Sequence, residues 1–275
     1  SWWRYSYGNF TGIRIMGVFQ NNLLAGAAAA ASAGGAGFYS YQIEQSCRFD
    51  GVASNSYINK TNGTSTNQKI GTFSFWVKRS ILSTNQQLLF TYDGGGINSR
   101  FESSDKVKFS VNANAENFES DGVFRDTNGW SHFVLAVDTT QGTNANRVKV
   151  YVNGVEDTSS GFDGTVTQDS NFSYNKNSQV LYFGHNTGVT IQPDLYLAEF
   201  IGVDGQQLSP TSFGEFKNGV WIPIDYSGTY GNNGFRLKFE NASDLGNDSS
   251  GNNNDFSTNG LGADHQVLDS PTFGS

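Results

Sequence analysis

The sequence is poor in cysteine, in charge and in long apolar runs, and each shortage excludes a class of protein. A single cysteine, Cys47, excludes an internal disulfide and a metal site built on several cysteines. Only 15% of the residues are charged, against about 25% in an average soluble protein. The small-residue tract 25–37 is too short to span a bilayer, which takes about 20 apolar residues. We therefore expect no membrane insertion.

Glycine and aromatic residues take the place of the missing charges. The chain has 33 Gly, 22 Phe, 12 Tyr and 5 Trp in 275 residues. Aromatic side chains suit half-buried pleated surfaces, and glycine supplies the positive φ angles of tight turns. This composition predicts strands and turns and excludes a long helical bundle. With 36% hydrophobic residues, it also provides for a packed core instead of wholesale disorder.

The charge balance is acidic, with a formal net charge of −8. Nucleic-acid binders normally present a basic stripe to phosphates, and membrane-surface modules present a polybasic one. We therefore expect neither nucleic acid nor an anionic membrane as a partner.

Residues 1–45 predict an extended N-terminal arm that is used for assembly and anchoring. Aromatic residues without periodic spacing precede a tract of small, uncharged residues. The apolar side chains of the arm are Trp2, Trp3, Tyr5, Tyr7, Phe10, Leu23 and Leu24. Such groups are costly to leave in water, so we expect the arm to pack onto copies of the same chain.

Residues 46–216 carry the clearest strand periodicity. The alternation in 73–78 indicates a half-buried strand, and the continuous apolar run in 130–137 indicates a strand buried on both sides. After the alternating segment 147–152, Asn153 and Gly154 form the strongest short hairpin signal, because both accept positive φ in a type I′ turn. Many short strands at such spacing predict a sandwich.

The order of these motifs resembles the laminin-G-like, concanavalin A-like jelly-roll domain. The matching segments are SCRFDGVASNSYI (46–58), FSFWVK (73–78), GWSHFVLAV (129–137), VKVYVNG (148–154) and LYLAEFIGVDGQQLSPTSFGEF (195–216). The resemblance implies an all-β jelly-roll sandwich over 46–216. Residues 217–275 are then a C-terminal extension, in which we expect 234–256 to add an edge strand to the same sandwich.

The two ends of the chain resemble virion proteins of tailed bacteriophages that carry this domain. The segments concerned are 17–43 and 248–272. This resemblance implies a structural component of a phage particle, such as a fibre, an appendage or a capsid decoration, located on the extracellular particle with other virion proteins as partners.

The sequence carries no recognisable pattern of catalytic carboxylates or histidines. A glycosidase needs two carboxylates about 5–10 Å apart, and sandwich hydrolases usually alternate them along one strand. No strand-like segment carries such a run; the acidic residues considered are Glu116, Glu119, Glu199, Glu240 and Asp244. The histidines His132, His185 and His265 lie in no nucleophile or metal motif. We therefore predict a protein that is not an enzyme, with a polysaccharide depolymerase as the least favoured alternative.

Many laminin-G-like relatives bind calcium through loop oxygens, which makes one polar loop a candidate. Its oxygen-bearing residues are Asp248, Asn252, Asn254 and Asp255. Calcium takes six to eight oxygen ligands, and Asp and Asn in loops more often form Asx turns. The interpretation is that no cofactor is needed, with calcium at this loop as the alternative.

Sugar binding would need exposed aromatic rings beside polar groups. The candidates, all close to glycine-rich stretches, are Tyr92, Trp221, Tyr226 and Tyr230. Taken with the residue patterns, the resemblance to phage virion proteins implies a non-enzymatic structural protein of the virion that self-assembles through its arm and displays a β-sandwich. The alternative is an adhesin that binds glycans of the host surface.

Overall fold

The computed structural model describes residues 37–51, 55–112, 117–158, 166–186 and 191–272. Within these ranges the chain consists of strands joined by turns, and the helical segments are short 3-10 turns such as Ser173–Asn175 and Pro210–Ser212. None of the helices in these ranges has the length and apolarity to cross a membrane. The all-β prediction is confirmed.

The strands are, in chain order, β1 (Ser46–Asp50), β2 (Tyr57–Thr61), β3 (Ile70–Arg79), β4 (Gln86–Tyr92), β5 (Gly96–Phe101), β6 (Val107–Ser110), β7 (Asn117–Glu119), β8 (Ser131–Asp138), β9 (Val148–Val152), β10 (Val155–Glu156), β11 (Val180–Phe183), β12 (Asp194–Asp204), β13 (Gly214–Lys217), β14 (Val220–Pro223), β15 (Phe235–Leu237), β16 (Ser257–Asn259) and β17 (Gln266–Val267).

These strands form two large antiparallel sheets and a separate hairpin. In the described residues the first sheet has eight strands in the order β10-β9-β8-β3-β12-β1-β17, with β15 also paired to β12. The second has seven strands in the order β16-β2-β11-β4-β5-β6-β7. The hairpin pairs β13 with β14. Both sheets combine strands from the first and the second half of the chain, such as β3 with β12 in the first sheet and β2 with β11 in the second, so the two sheets are interleaved along the chain.

The core lies between the two sheets because the strands alternate. In β3, Phe73, Phe75 and Val77 belong to the main apolar cluster, whereas the residues between them face the other way. Phe75 bridges the sheets: its ring centroid lies 6.3 Å from that of Phe109 and 6.1 Å from that of Phe183. Cys47 is fully buried in this core.

The outer face of the first sheet is also covered, which explains the continuous apolar run of β8. On this face Val134 and Ala136 pack with Ile201 of β12 and with Phe213 and Tyr226 from the segment that follows. A strand buried on both sides needs apolar residues at every position. The prediction that β8 is buried on both faces is confirmed.

The hairpin predicted at Asn153 and Gly154 is confirmed. Both residues have positive φ angles, 47° and 81°, and Val152 pairs with Val155 across the turn. A Cβ atom at Gly154 would overlap the ring of Trp221. The second residue of the turn is therefore restricted to glycine by its backbone conformation and by its neighbour.

Strands from the C-terminal residues enter both sheets. β15 pairs with β12, and β17 pairs with β1, in the first sheet, whereas β16 pairs with β2 in the second. Residues 41–273 make up one compact unit. These C-terminal strands therefore fold as part of the sandwich body.

The second unit comprises Ser1–Ser40 with Gly274–Ser275. The predicted arm residues Trp2, Trp3, Tyr5, Tyr7, Phe10, Leu23 and Leu24 lie outside the described residues. The arm predicted from the sequence, residues 1–45, also includes Tyr41 and Ile43, whereas both pack in the body. The Tyr41 hydroxyl donates to Glu199 at 3.0 Å, and the Ile43 amide donates to the Thr272 hydroxyl at 2.9 Å.

Candidate functional site

The outer face of the second sheet presents a mixed surface of rings and amides. Alternation places it there: in β2, Ile58 enters the core, whereas Tyr57 and Asn59 point outward. We call this surface the aromatic–amide face. Its residues are Tyr57, Asn59, Phe90, Tyr92, Asn98, Tyr182, His185 and Asn186.

The register of four strands sets this face. Asn59 of β2 lies opposite Tyr182 of β11, which lies opposite Phe90 of β4, which lies opposite Asn98 of β5. Residues directly opposite in antiparallel strands share a face about 4.5–5.5 Å apart. The row therefore places ring and amide groups side by side on rigid strands.

Three rings form a platform within this face. The Tyr57 and His185 rings stack with centroids 4.3 Å apart and planes inclined by 23°. Tyr182 lies 6.0 Å from Tyr57 and 5.3 Å from His185, measured between centroids. All three side chains are half-buried. Each ring therefore limits the motion of the other two while part of its surface stays in solvent.

Amide groups border the platform. The Asn186 side-chain amide donates to Asn98 Oδ1, and the Asn98 amide donates to the Gly96 carbonyl at 3.1 Å. Phe90 is buried beside Tyr182, with 5.9 Å between ring centroids. The hydrogen bonds hold the amides in place next to the rings.

The aromatic–amide face is electrically neutral near pH 7. Burial lowers the pKa of His185 below its ordinary value, so its imidazole is uncharged at neutral pH. Burial, together with the neighbouring Tyr57, raises the pKa of Tyr182, so its phenol stays protonated. This surface offers apolar ring faces and uncharged hydrogen-bonding groups, as a neutral polyhydroxylated ligand requires.

Tyr92 extends the aromatic–amide face. It ends β4 two residues after Phe90 and therefore shares its side of the sheet. Its side chain is 63% exposed. The structure thus places one of the four sequence candidates next to the ring platform.

The other three aromatic candidates cover the outer face of the first sheet. Trp221 is 9% exposed and its indole Nε1 donates to His132 Nδ1 at 3.0 Å. Tyr226 is buried and donates to the Thr229 carbonyl, and its ring contacts Tyr230 edge to face. These rings pack against the sheet, and the structure does not bring them together with Tyr92.

The four calcium candidates are tied into a network of hydrogen bonds with the chain. Asp248 accepts backbone N–H groups from Arg236, Ser250 and Asn254. Asp255 accepts the N–H of Asp248. The side-chain amides of Asn252 and Asn254 both donate to the Gly234 carbonyl. In the described residues no three His, Cys, Asp or Glu side chains gather as a metal site. Calcium binding at this loop stays a prediction.

Tyr57, Tyr182 and the role of His185 were not predicted from the sequence. Part of the signal was in the sequence, since Tyr57 stands beside Ile58, and Tyr182 stands between Leu181 and Phe183, three apolar residues that lie in the core. What was missing is the register that places these two strands side by side. Tyr92 was found because it lies next to a glycine turn.

Two stacked antiparallel sheets with a ring-and-amide outer surface define a lectin-like β-sandwich. The sequence profile of the concanavalin A-like lectin/glucanases superfamily matches residues 50–190, just over half of the chain. The chain belongs to this superfamily. The resemblance to concanavalin A-like domains that its sequence shows is thereby confirmed.

Solved structures share the fold at low sequence identity. A candidate carbohydrate-binding protein from Bacteroides ovatus superposes with a TM-score of 0.58 at 15% identity, over 84% of this chain and 62% of that one. This chain therefore spans less than two thirds of that protein. Domains LG4-5 of the mouse laminin alpha1 chain give a TM-score of 0.40 at 13% identity, over 68% of this chain and 46% of that one.

A third structure is a Trypanosoma rangeli sialidase in complex with sialic acid. It gives a TM-score of 0.39 at 12% identity, over 74% of this chain and 38% of the enzyme. The laminin and sialidase superpositions are too distant to carry an argument about function. No curated protein matches the chain.

Proposed function

We propose that this chain is a non-enzymatic carbohydrate-binding β-sandwich that takes a neutral glycan on its aromatic–amide face. The observation that carries the proposal is the platform of Tyr57, Tyr182 and His185 beside Asn98 and Asn186. The Bacteroides ovatus protein, described as a candidate carbohydrate binder, supports it through the shared fold.

The chemistry of a sugar matches both parts of this face. The C–H face of a pyranose is apolar and gains from contact with an aromatic ring, whereas its hydroxyls need donors and acceptors within hydrogen-bond reach. Amide side chains supply both donors and acceptors. Because the rings and amides are held by rigid strands, binding costs little ordering of the protein.

Replacing Tyr182 by alanine is expected to weaken glycan binding by about tenfold, because the ring contact is worth roughly 0.5–1.5 kcal/mol beyond the burial of its area. A glycan array would identify the ligand, and isothermal titration calorimetry would give the affinity of the wild type and the variant. EGTA is expected to leave this affinity unchanged, and incubation with the ligand is expected to release no reducing ends.

The matched control is Tyr196→Ala, which removes a half-buried tyrosine from the first sheet. Its binding should equal that of the wild type. Wild-type affinity in a folded Tyr182→Ala protein would remove the aromatic–amide face from consideration. New reducing ends would instead support the depolymerase alternative.

We also propose that the sandwich is displayed on a phage particle, and that residues 1–40 assemble it with copies of itself and with other virion proteins. The support is the resemblance of both chain ends to such proteins and the apolar composition of the arm. Because residues 41–273 form one compact unit, light scattering should find a discrete oligomer for 1–275 and a folded monomer for 41–275. The same number of subunits in both proteins would contradict assembly through the arm.

A further inference from the structure

Three exposed apolar side chains border Trp221 on the outer side of the first sheet. Val155, Phe216 and Val220 are 60%, 55% and 50% exposed. The Phe216 ring lies 5.0 Å from the Trp221 ring between centroids, and Val220 precedes Trp221 in β14. Val155 follows Gly154, whose backbone lies against the Trp221 ring. We call Val155, Phe216 and Val220 the hairpin patch.

Two tight turns and one buried ring hold the hairpin patch in place. Asn153–Gly154 joins β9 to β10, Asn218–Gly219 joins β13 to β14, and all four residues have positive φ. Trp221 is 9% exposed, and its Nε1 donates to the buried His132 at 3.0 Å. Neighbouring exposed apolar side chains, unlike scattered ones, mark an interaction surface. The hairpin patch is therefore a rigid surface on which a partner can pack.

The border of the hairpin patch is acidic on balance. Its charged side chains belong to residues next to the patch in sequence, together with Lys149, which lies 2.9 Å from Glu156. They are Glu156, Asp157 and Glu215 against Lys149 and Lys217. Three carboxylates against two ammonium groups favour a partner that is apolar and carries a small positive charge.

The N-terminal arm has this composition. Residues 1–40 contain Arg4 and Arg14 and no Asp, Glu or Lys, so their side chains carry a charge of +2. Because the whole chain carries −8, the remaining residues carry −10. The aromatic and leucine side chains of the arm are costly to leave in water. Forty residues span at most about 130 Å when fully extended, which is long enough to reach a neighbouring molecule.

We propose that the hairpin patch of one copy of the chain receives the arm, residues 1–40, of a second copy. This inference rests on the assembly proposed above and assigns its receiving surface. Apolar side chains of the arm cover Val155, Phe216 and Val220, and its arginines meet the carboxylates of the border. Because the arm and the patch are different surfaces, each copy gives one arm and receives one.

The test compares the light-scattering mass of the full chain with the masses of three variants, each checked for folding by thermal melting. Phe216→Ser removes the largest apolar side chain of the patch, and Val220→Lys places a cation opposite the arginines of the arm. Both are expected to be folded monomers. Tyr92→Ser, which changes a ring of similar exposure in the aromatic–amide face, is the matched control and should keep the oligomer of the wild type.

A peptide of residues 1–40 gives a measurement that needs no variant to fold. It should bind the body, residues 41–275, which forms one compact unit up to residue 273. Hydrogen exchange should then slow in 151–156 and 214–223 and stay unchanged in 180–186.

Three results would overturn the inference. A monomeric wild-type chain would remove the proposed assembly and its receiving surface together. An oligomer that persists in both folded variants, or a peptide that protects other segments, would leave the assembly standing and place its receiving surface elsewhere. If residues 41–275 form an oligomer that Phe216→Ser dissociates, the occupant is a second hairpin patch instead of the arm.

Discussion

Replacing Arg236 by methionine is expected to lower the free energy of unfolding by about 3–5 kcal/mol, because it leaves a buried carboxylate without its ion partner. Arg236 Nη2 lies 2.5 Å from Glu199 Oε1, and the two side chains are 7% and 6% exposed. The same nitrogen lies 2.7 Å from the exposed Asp225. Urea unfolding followed by tryptophan fluorescence would measure the change.

The control for this prediction is the double variant Glu199→Gln, Arg236→Met. Removing both charges removes the uncompensated one, so more than half of the lost stability should return. A double variant as unstable as Arg236→Met alone would show that the loss comes from packing of the arginine side chain instead of charge.

The pH dependence of the single variant gives an independent check. Burial already raises the pKa of Glu199 above its ordinary value despite the attraction of Arg236, and losing Arg236 raises it further. The folded variant then holds a proton that the unfolded chain releases above about pH 4.5. Its stability is therefore lost as pH rises, so its deficit against the wild type should be smaller at pH 5 than at pH 7.

The buried Glu199–Arg236 pair is a feature that could not be predicted from the sequence. Apolar and charged residues alternate in 235–240, which indicates a strand with its charged residues on one side, and β15 (Phe235–Leu237) is a strand. The sequence does not show that β15 pairs beside a bulge in β12, between Ala198 and Ile201. Glu199 has a φ of 47° in this bulge, and its carboxylate is buried against Arg236. A charged residue in a strand is normally taken as solvent-facing.

Features encoded by neighbouring residues were predictable, whereas features that depend on strand register were not. The Asn153–Gly154 turn and the doubly buried β8 need only local sequence. The aromatic–amide face needs Tyr57 and Tyr182, which are 125 positions apart and become neighbours through the β2–β11 pairing. The buried ion pair of Arg79 with Asp105 likewise joins the end of β3 to the turn between β5 and β6. Both arrangements depend on how the strands pair.

His132 makes the stability of the fold depend on pH, because its ring packs in the neutral form against the first sheet. It lies on the outer side of β8, fully buried, with its ring stacked on Trp76 at 4.7 Å between centroids. Trp221 Nε1 donates to Nδ1, which must therefore be unprotonated, and Nε2 then donates to the Ser74 hydroxyl at 2.8 Å. His132 is thus a packed histidine whose two ring nitrogens are both hydrogen-bonded.

Lowering the pH from 7 to 5 is expected to cost about 2 kcal/mol of stability through His132 alone. Burial lowers its pKa to about 3, whereas in the unfolded chain it is near 6.5. Between these values the unfolded chain binds a proton that the folded one does not. The contribution of His132 to the free energy of unfolding is therefore fully present above pH 6.5. It falls by about 1.4 kcal/mol for each pH unit between 6.5 and the folded-state pKa of about 3.

The variant His132→Asn keeps an acceptor for Trp221 and removes the titrating group. Urea unfolding across this pH range should show a slope flatter than that of the wild type by the His132 contribution. His185→Asn is the matched control: its ring is half-exposed, so its pKa is lowered less and its removal should change the slope only slightly. If the wild type and His132→Asn lose stability in parallel, the proton taken up on unfolding goes to another group, and His132 is not the residue that makes the fold acid-sensitive.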